Sequence, residues 1–235
     1  SIFPNNWIST YQNNTIIIHS MFAKNRRLEK RVDIIDFLKK NFTVDKVYDN
    51  SEDQEKKNKF LEGTGSMVLD RVNKVVYAVL SERTSYDLLL EFCDFQGFKL
   101  IPFNAYQDFD KKKMIYHTNV MMSLCENFVI ICLDSVIKMD EKKILLDSFN
   151  RNKKEIIFIT MEQVNKFCGN VLEVKNTLGE NILIMSSKAF NSFSKKQIKI
   201  INKFCKIVHS PLDTIERYGG GGARCMIAEI FLKKK

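Results

Sequence analysis

Glu62-Gly63-Thr64-Gly65-Ser66-Met67-Val68-Leu69-Asp70, read on through Val75-Val76-Tyr77-Ala78-Val79-Leu80 to Lys99-Leu100-Ile101-Pro102-Phe103, is the stretch that decides the fold. A polar lead gives way to an apolar strand at 67–69, a turn at 70–74 and a second, β-branched strand at 75–80. Thr84 to Gln96 carries a helical pattern, and Gly97 is placed to cap its C-terminal end. Lys99 to Phe103 is a third strand, and Asn104 to Lys113 a polar loop. The unit is strand-strand-helix-strand, with a reactive side chain at its leading edge.

The same order recurs on both sides. Upstream, Asn6 precedes a strand at 7–11, an Asn-rich turn, a strand at 15–18, a helix within 26–41, a strand at 43–48 and a charged loop at 49–59. Downstream, His117-Thr118-Asn119 precedes strands at 120–122 and 128–133, a helix at 140–150 and a strand at 155–159. Gly169-Asn170 then opens strands at 171–174 and 182–185, a helix at 188–203 and a short strand at 206–208. Last comes Cys225, reached through Gly219-Gly220-Gly221-Gly222 and followed by a strand at 226–231.

The marker positions 6, 62, 117, 170 and 225 are separated by 56, 55, 53 and 55 residues. So regular a period signals a repeat fold, in which equivalent leading edges converge when the units surround an axis. The expectation is α/β: a five-fold pseudosymmetric propeller in one domain over 1–235, with units near 1–56, 57–111, 112–164 and 165–220 and a partial one at 221–235. The sequence opens at Ser1-Ile2-Phe3-Pro4 without a Met, and the fifth unit has a single strand. The rest of that blade is therefore expected from residues before Ser1. The competing reading is an open α/β sheet with an accidental period.

Composition narrows the function. The net charge of +9 comes from 37 Lys+Arg against 28 Asp+Glu, but the bases are mostly lysines spread through helices and turns, without an aromatic-basic RNA-binding motif. No nucleic-acid partner is expected. Six cysteines, none in a Cys-x-x-Cys pair, fit reduced thiols in the cytoplasm and give no disulfide framework and no metal site. Apolar runs such as 128–133 are too short to cross a bilayer, so no membrane partner is expected.

Three markers carry chemistry. A thiol (Cys225), an imidazole (His117) and a carboxylate (Glu62) on one channel make a nucleophile, an acid/base and a binding or proton-holding group. The expectation is attack by Cys225 on an sp2 carbon bonded to nitrogen. His117 would protonate the departing amine and Glu62 would bind the N–H groups beside that carbon. The glycine run offers backbone N–H groups, and Arg224 a charge, to lower the thiol pKa.

Leu61 to Ser66, Tyr116 to Met122, Gly219 to Met226 and Pro4 to Trp7 resemble the motifs of the guanidino-group-modifying, or pentein, superfamily, along the whole sequence. The sequence is most similar to its citrulline-utilisation hydrolase branch, among the amidinotransferase-like proteins. The resemblance implies a five-bladed propeller, a covalent intermediate on Cys225, His117 as general acid/base and Glu62 as substrate-binding carboxylate. It implies a small amino-acid substrate and no cofactor, and it allows a homo-oligomer.

One departure bears on the substrate. Arginine deiminases of this superfamily carry Asp where Asn119 stands and Asp near Asn6. A carboxylate only accepts hydrogen bonds and suits a guanidinium, whereas an amide both donates and accepts and suits a neutral ureido group. Asn6 and Asn119 thus favour a citrulline-like substrate. Arg27 and Arg31 are candidates to pair with its α-carboxylate, and Arg224 is a further binding candidate. The alternatives are an arginine deiminase, an amidinotransferase, a non-catalytic pentein binding module and an inactive fragment.

Overall fold

The computed structural model describes residues 2–107 and 113–235, and four three-stranded sheets carry these residues. The first holds β1 (Ile8–Thr10), β2 (Thr15–Ile18) and β3 (Lys46–Asp49); the second β4 (Met67–Asp70), β5 (Val75–Val79) and β6 (Lys99–Phe103). The third holds β7 (Met122–Leu124), β8 (Phe128–Ile131) and β9 (Glu155–Phe158); the fourth β10 (Leu172–Lys175), β11 (Asn181–Ser186) and β12 (Lys206–Ser210). In every sheet the first two strands are antiparallel and the third is parallel to the second. A parallel neighbour requires a crossover. Helices Val32–Asn41, Tyr86–Gln96 and Met139–Arg151 supply it in the first three sheets, and Ser187–Ser192 with Lys195–Ile201 in the fourth.

Burial follows from this layering. The middle strands β5 and β8 are buried along their whole length, because helix and neighbouring unit cover opposite faces. The largest apolar core runs continuously through the second, third and fourth units. Tyr77 of the second meets Ser148 of the third, hydroxyl to hydroxyl at 2.7 Å. The first strands form the hub: β4 lies against β7 and β7 against β10, around a cavity of about 490 Å³. The order is that of an α/β propeller with pseudosymmetric units. Gly97 takes the left-handed cap position at φ 69°.

Several local readings are corrected. The helix expected over 26–41 is a 3-10 turn at Lys24–Glu29 followed by a helix at Val32–Asn41, and the charged loop at 49–59 contains a helix at Ser51–Lys56. The helix expected over 188–203 is two, since Ser194 starts a new one with a capping box to Gln197. The polar leads are helical turns: Gly63–Ser66 before β4, and Thr118–Met121 where a strand was expected to begin. Of the polar loop read at 104–113, residues 108–112 lie outside the described residues.

The largest correction is at the C-terminus. Cys225 sits in a 3-10 turn, Ala223–Met226, and the strand expected at 226–231 is not formed. That segment is held by side chains, Thr10 first among them: its Oγ1 donates to the Glu229 carbonyl at 3.0 Å and accepts the Phe231 N–H at 2.7 Å. A hydroxyl bridge stands where a ladder of backbone bonds was expected.

Candidate active site

The leading edges of the units meet. The 3-10 turn Pro4–Asn6 contacts Gly63–Ser66, which contacts Thr118–Met121, and the first also contacts Ala223–Met226. Glycine makes this approach possible. At Gly63, φ is +46° and a Cβ would run into the Asn5 carbonyl. At Gly65, a Cβ would meet the Asn6 amide and, at 3.0 Å, His117 Nδ1.

His117 and Glu62 form a buried pair, with His117 Nε2 2.7 Å from Glu62 Oε2. Glu62 Oε1 accepts the Phe22 N–H at 2.8 Å, and Arg83 Nη1 approaches Oε2 at 3.5 Å. Burial pushes the Glu62 carboxyl up, but the His117 bond, Arg83 and the Phe22 N–H outweigh it and hold it below its ordinary value. Burial lowers the His117 pKa; Glu62 opposes this, and Arg83 and Arg26 add to it. The resting pair is a carboxylate beside a neutral imidazole. With Nε2 committed to Glu62, Nδ1 is the nitrogen left to exchange a proton.

Cys225 is 7% exposed and faces two amides. Asn170 Nδ2 lies 3.3 Å and Asn119 Nδ2 3.5 Å from its sulfur. Asn170 is itself fixed, since its Oδ1 accepts the Gly222 N–H at 3.0 Å and its Nδ2 also reaches the Asn119 carbonyl at 3.0 Å. Burial raises the thiol pKa, and Asn170, Arg224, Asn119 and Arg26 oppose it without cancelling it. The lowered thiol pKa expected from the glycine run is therefore corrected: the Gly222 N–H serves Asn170. Gly219 and Gly221 lack side chains because the Phe3 ring fills that space.

Cys225, His117, Asn119 and Asn170 line one cavity of about 150 Å³, together with Val120, Val164 and Phe167. Among the described residues, Asn119 Oδ1 is buried without a hydrogen-bond partner. Glu62 does not line that cavity. It is 0% exposed, with both oxygens engaged, and stands behind His117. Among the described residues, no group of three or more His, Cys, Asp or Glu side chains is placed to hold a metal ion.

The remaining candidates lie apart. Asn6 gives Nδ2 to the Glu62 carbonyl at 3.5 Å and takes Arg26 Nη1 on Oδ1 at 3.1 Å, outside the cavity lining. Arg27 donates to the Met21 carbonyl and approaches Glu55, and Arg31 is exposed and paired with Asp33. Arg224 turns to the Ile227 carbonyl and Glu229. Asn170 stands at the site as its place among the markers implies, while Arg26 and Arg83, which lie near His117, are not singled out by the sequence. Asn170 was a period marker, Arg26 adjoins Arg27, and nothing local in the sequence distinguishes Arg83.

The family model for N,N dimethylarginine dimethylhydrolase, eukaryotic, matches residues 1–232. No curated protein matches this sequence. Among solved structures, the substrate-bound N-terminal domain of ArgZ, an arginine dihydrolase from the ornithine-ammonia cycle in cyanobacteria, is similar with a TM-score of 0.73 at 17% identity, covering 98% of this chain and 77% of that one. Of the longer ArgZ protein, the match takes in only 32%. AgrE with L-arginine gives a TM-score of 0.73 at 17% identity, with 97% of this chain and 31% of that one covered. DDAH from Pseudomonas aeruginosa, complexed with citrulline, gives 0.63 at 16% identity, with 95% and 74% covered. Among the described residues, no helix is long and apolar enough to cross a membrane. The family match spans nearly the whole sequence, and the chain belongs to the eukaryotic N,N-dimethylarginine dimethylhydrolase family, among the guanidino-modifying penteins.

Proposed function

We propose that the protein hydrolyses a C–N bond of the ureido or guanidino group of an α-amino acid through a covalent intermediate on Cys225. The observation that carries this is the shared cavity: a thiol under two amide N–H groups, an imidazole whose Nε2 is held by Glu62, and the side chain of Asn119, whose Oδ1 is without a partner among the described residues and could accept an N–H of the attacked group. The resting thiol and imidazole are both neutral, so the proton moves when substrate arrives. Cys225 gives its proton to His117 Nδ1 and its sulfur bonds to the central carbon. The C–N bond breaks as His117 passes the proton to the leaving amine. His117 then takes a proton from water, whose oxygen bonds to the carbon, and the C–S bond breaks to regenerate the thiol. Glu62 holds the imidazole in place and stabilises its charged form; it is a positioning residue.

A neutral ureido substrate of the citrulline kind is favoured by the lining. The described wall residues include amides and no carboxylate, and the cations Arg26 and Arg83 stand near His117. A buried guanidinium finds no counter-charge in such a wall. A second reading, an N-methylated arginine releasing a methylamine, rests on the family model.

Citrulline, arginine and N-methylated arginines, each supplied to the purified protein with ammonia, amines and amino acids assayed, decide between the two. Cys225→Ser is expected to abolish turnover; a variant that keeps it removes the mechanism. Alkylation of Cys225 by a haloacetamidine is expected to accelerate with pH without levelling below about pH 8.5, the ordinary thiol value, because burial raises this thiol. A plateau near neutrality would mean a preformed thiolate.

A further inference from the structure

Phe167 occupies a backbone position that side chains avoid. The helix Met161–Asn165 ends with the Phe167 N–H on the Val164 carbonyl at 2.9 Å and the Cys168 N–H on the Gln163 carbonyl at 3.0 Å. That pattern is a Schellman turn, whose left-handed residue is usually glycine. Here it is Phe167, at φ 65°. A bulky side chain in that region is strained, and such strain persists where the surroundings hold it. Gly97 and Gly220 take the left-handed place at the ends of two other helices, and Asn58 and Lys153, both polar and unbranched at Cβ, at two more, so Phe167 is the one aromatic among the described left-handed residues.

The ring earns its position in the cavity. Phe167 lines it beside Cys225, with Val164 and Val120 as aliphatic members and Tyr116 as a second aromatic one. A Cβ on Gly222 would lie 3.3 Å from Phe167 Cδ1, so the ring abuts the loop that carries the thiol. Lys188 Nζ, paired with Glu216 at 3.2 Å, lies 5.5 Å from the ring centroid. The Phe167 carbonyl accepts the Asn170 N–H at 2.9 Å, so the same turn places the amide that faces the sulfur.

We propose that Phe167, with Val120 and Val164, is the specificity wall for the polymethylene stem of the substrate, and that its strained backbone is retained to hold the ring against that stem. The inference rests on the hydrolase reading above. The polar groups of the cavity, His117, Asn119, Asn170 and Cys225, are suited to the attacked carbon and its nitrogens. The methylenes joining that group to the α-carbon have no polar partner to seek, and Phe167, Val120 and Val164, with the Tyr116 ring beside His117, are the apolar surface that can meet them.

The test compares the unaltered protein with Phe167→Asn and Phe167→Leu on an amino-acid substrate that the unaltered protein turns over and on homologues one methylene shorter and longer. Asparagine accepts the left-handed backbone and removes the ring, whereas leucine keeps an apolar side chain under the same strain. A single methylene is worth about 10- to 200-fold in discrimination in an apolar pocket. Phe167→Asn is expected to melt no lower than the unaltered protein and to keep its Cys225 alkylation rate. Its kcat/KM is expected to fall at least tenfold, mainly through KM, with stem-length preference flattened, and Phe167→Leu to lie between. Unchanged discrimination in both variants overturns the inference and leaves the hydrolase reading intact. Slower Cys225 alkylation in Phe167→Asn also overturns it, by making the ring a support for the thiol loop. No turnover by the unaltered protein on any of these substrates overturns the reading and the inference together.

Discussion

Two histidines lie buried in this protein, and their surroundings differ by one carboxylate. His19 follows β2 and sets Nε2 2.7 Å from the Ser9 hydroxyl, which in turn meets the Tyr11 hydroxyl at 3.0 Å. His117 sets Nε2 at the same 2.7 Å from Glu62. Burial lowers both, but His19 goes to about 3, with only small opposition from Asp49 and the Leu61 backbone. His117 has a full carboxylate against it and opens on a cavity that holds a thiol. Burial alone makes an inert histidine. A buried anion on one nitrogen and a cavity on the other make one that can carry a proton and return it.

The largest expected effect tests that contrast directly. His117→Asn is expected to lower kcat by about 10²- to 10⁴-fold, the usual worth of a positioned acid/base. His19→Asn is expected to leave kcat per folded molecule within a fewfold. Steady-state kinetics normalised to folded protein checks both, and equal losses would erase the distinction. Glu62→Gln comes next: it keeps a hydrogen-bonding group but removes the charge that raises the His117 pKa. We expect a kcat loss of up to about 10²-fold, with a smaller change in KM because Glu62 does not line the cavity. A KM effect as large as the kcat effect would return Glu62 to the substrate.

The two histidines were unequally legible in the sequence. His117 was found because it stands 55 residues after Glu62 and leads a repeated unit, while His19 sits within the apolar end of a strand and falls on no marker. The repeat was legible because β5, β8 and their crossovers obey local rules: β-branched runs, a helical period, and a capping glycine at 97. What failed was what tertiary contacts decide. Residues 226–231 have strand composition, yet backbone groups among them go to side chains, at Ile227 to Arg224 and at Glu229 and Phe231 to the Thr10 hydroxyl, a contact 219 residues away for Glu229. Arg26 rather than Arg27 or Arg31 turns to Asn6, because a 3-10 turn replaces the first helical turns and changes which residue faces inward. Phe167 gave no signal, since its conformation contradicts its own propensity.

Acid should draw stability from both histidines, since both are lowered, and most from His19. The folded pKa of His19 is about 3, against about 6.5 unfolded. The unfolded state therefore binds the extra proton between these values. The stability from the neutral, buried ring is complete above pH 6.5 and is lost as pH falls towards 3, with a linked contribution on the order of 5 kcal/mol. Trp7, the single tryptophan and fully buried beside β1, reports unfolding close to this site. Denaturant titrations from pH 7 to 4 are expected to show a shallower loss in His19→Gln than in the unaltered protein. Glu62, held below its ordinary value, adds its own loss only under more acid conditions, below about pH 4.3. Identical slopes in the two proteins would assign the acid sensitivity to carboxylates instead.

The smallest expected effect isolates the hydroxyl that replaces the carboxylate. Ser9→Ala deprives both His19 Nε2 and the Tyr11 hydroxyl of their partner, in a region where Tyr11 is itself pushed up to about 12 by burial. Leaving buried polar groups unpaired costs about 1–3 kcal/mol, to be read as a lower denaturation midpoint at unchanged slope. The kcat should not move, because the Ser9 network lies in the first sheet, outside the cavity lined by Cys225 and His117. A tenfold fall in kcat per folded molecule would show that β1 transmits strain to the adjoining Pro4–Asn6 turn and so to Glu62. The two histidines would then belong to one coupled unit, and the carboxylate would no longer be sufficient to tell them apart.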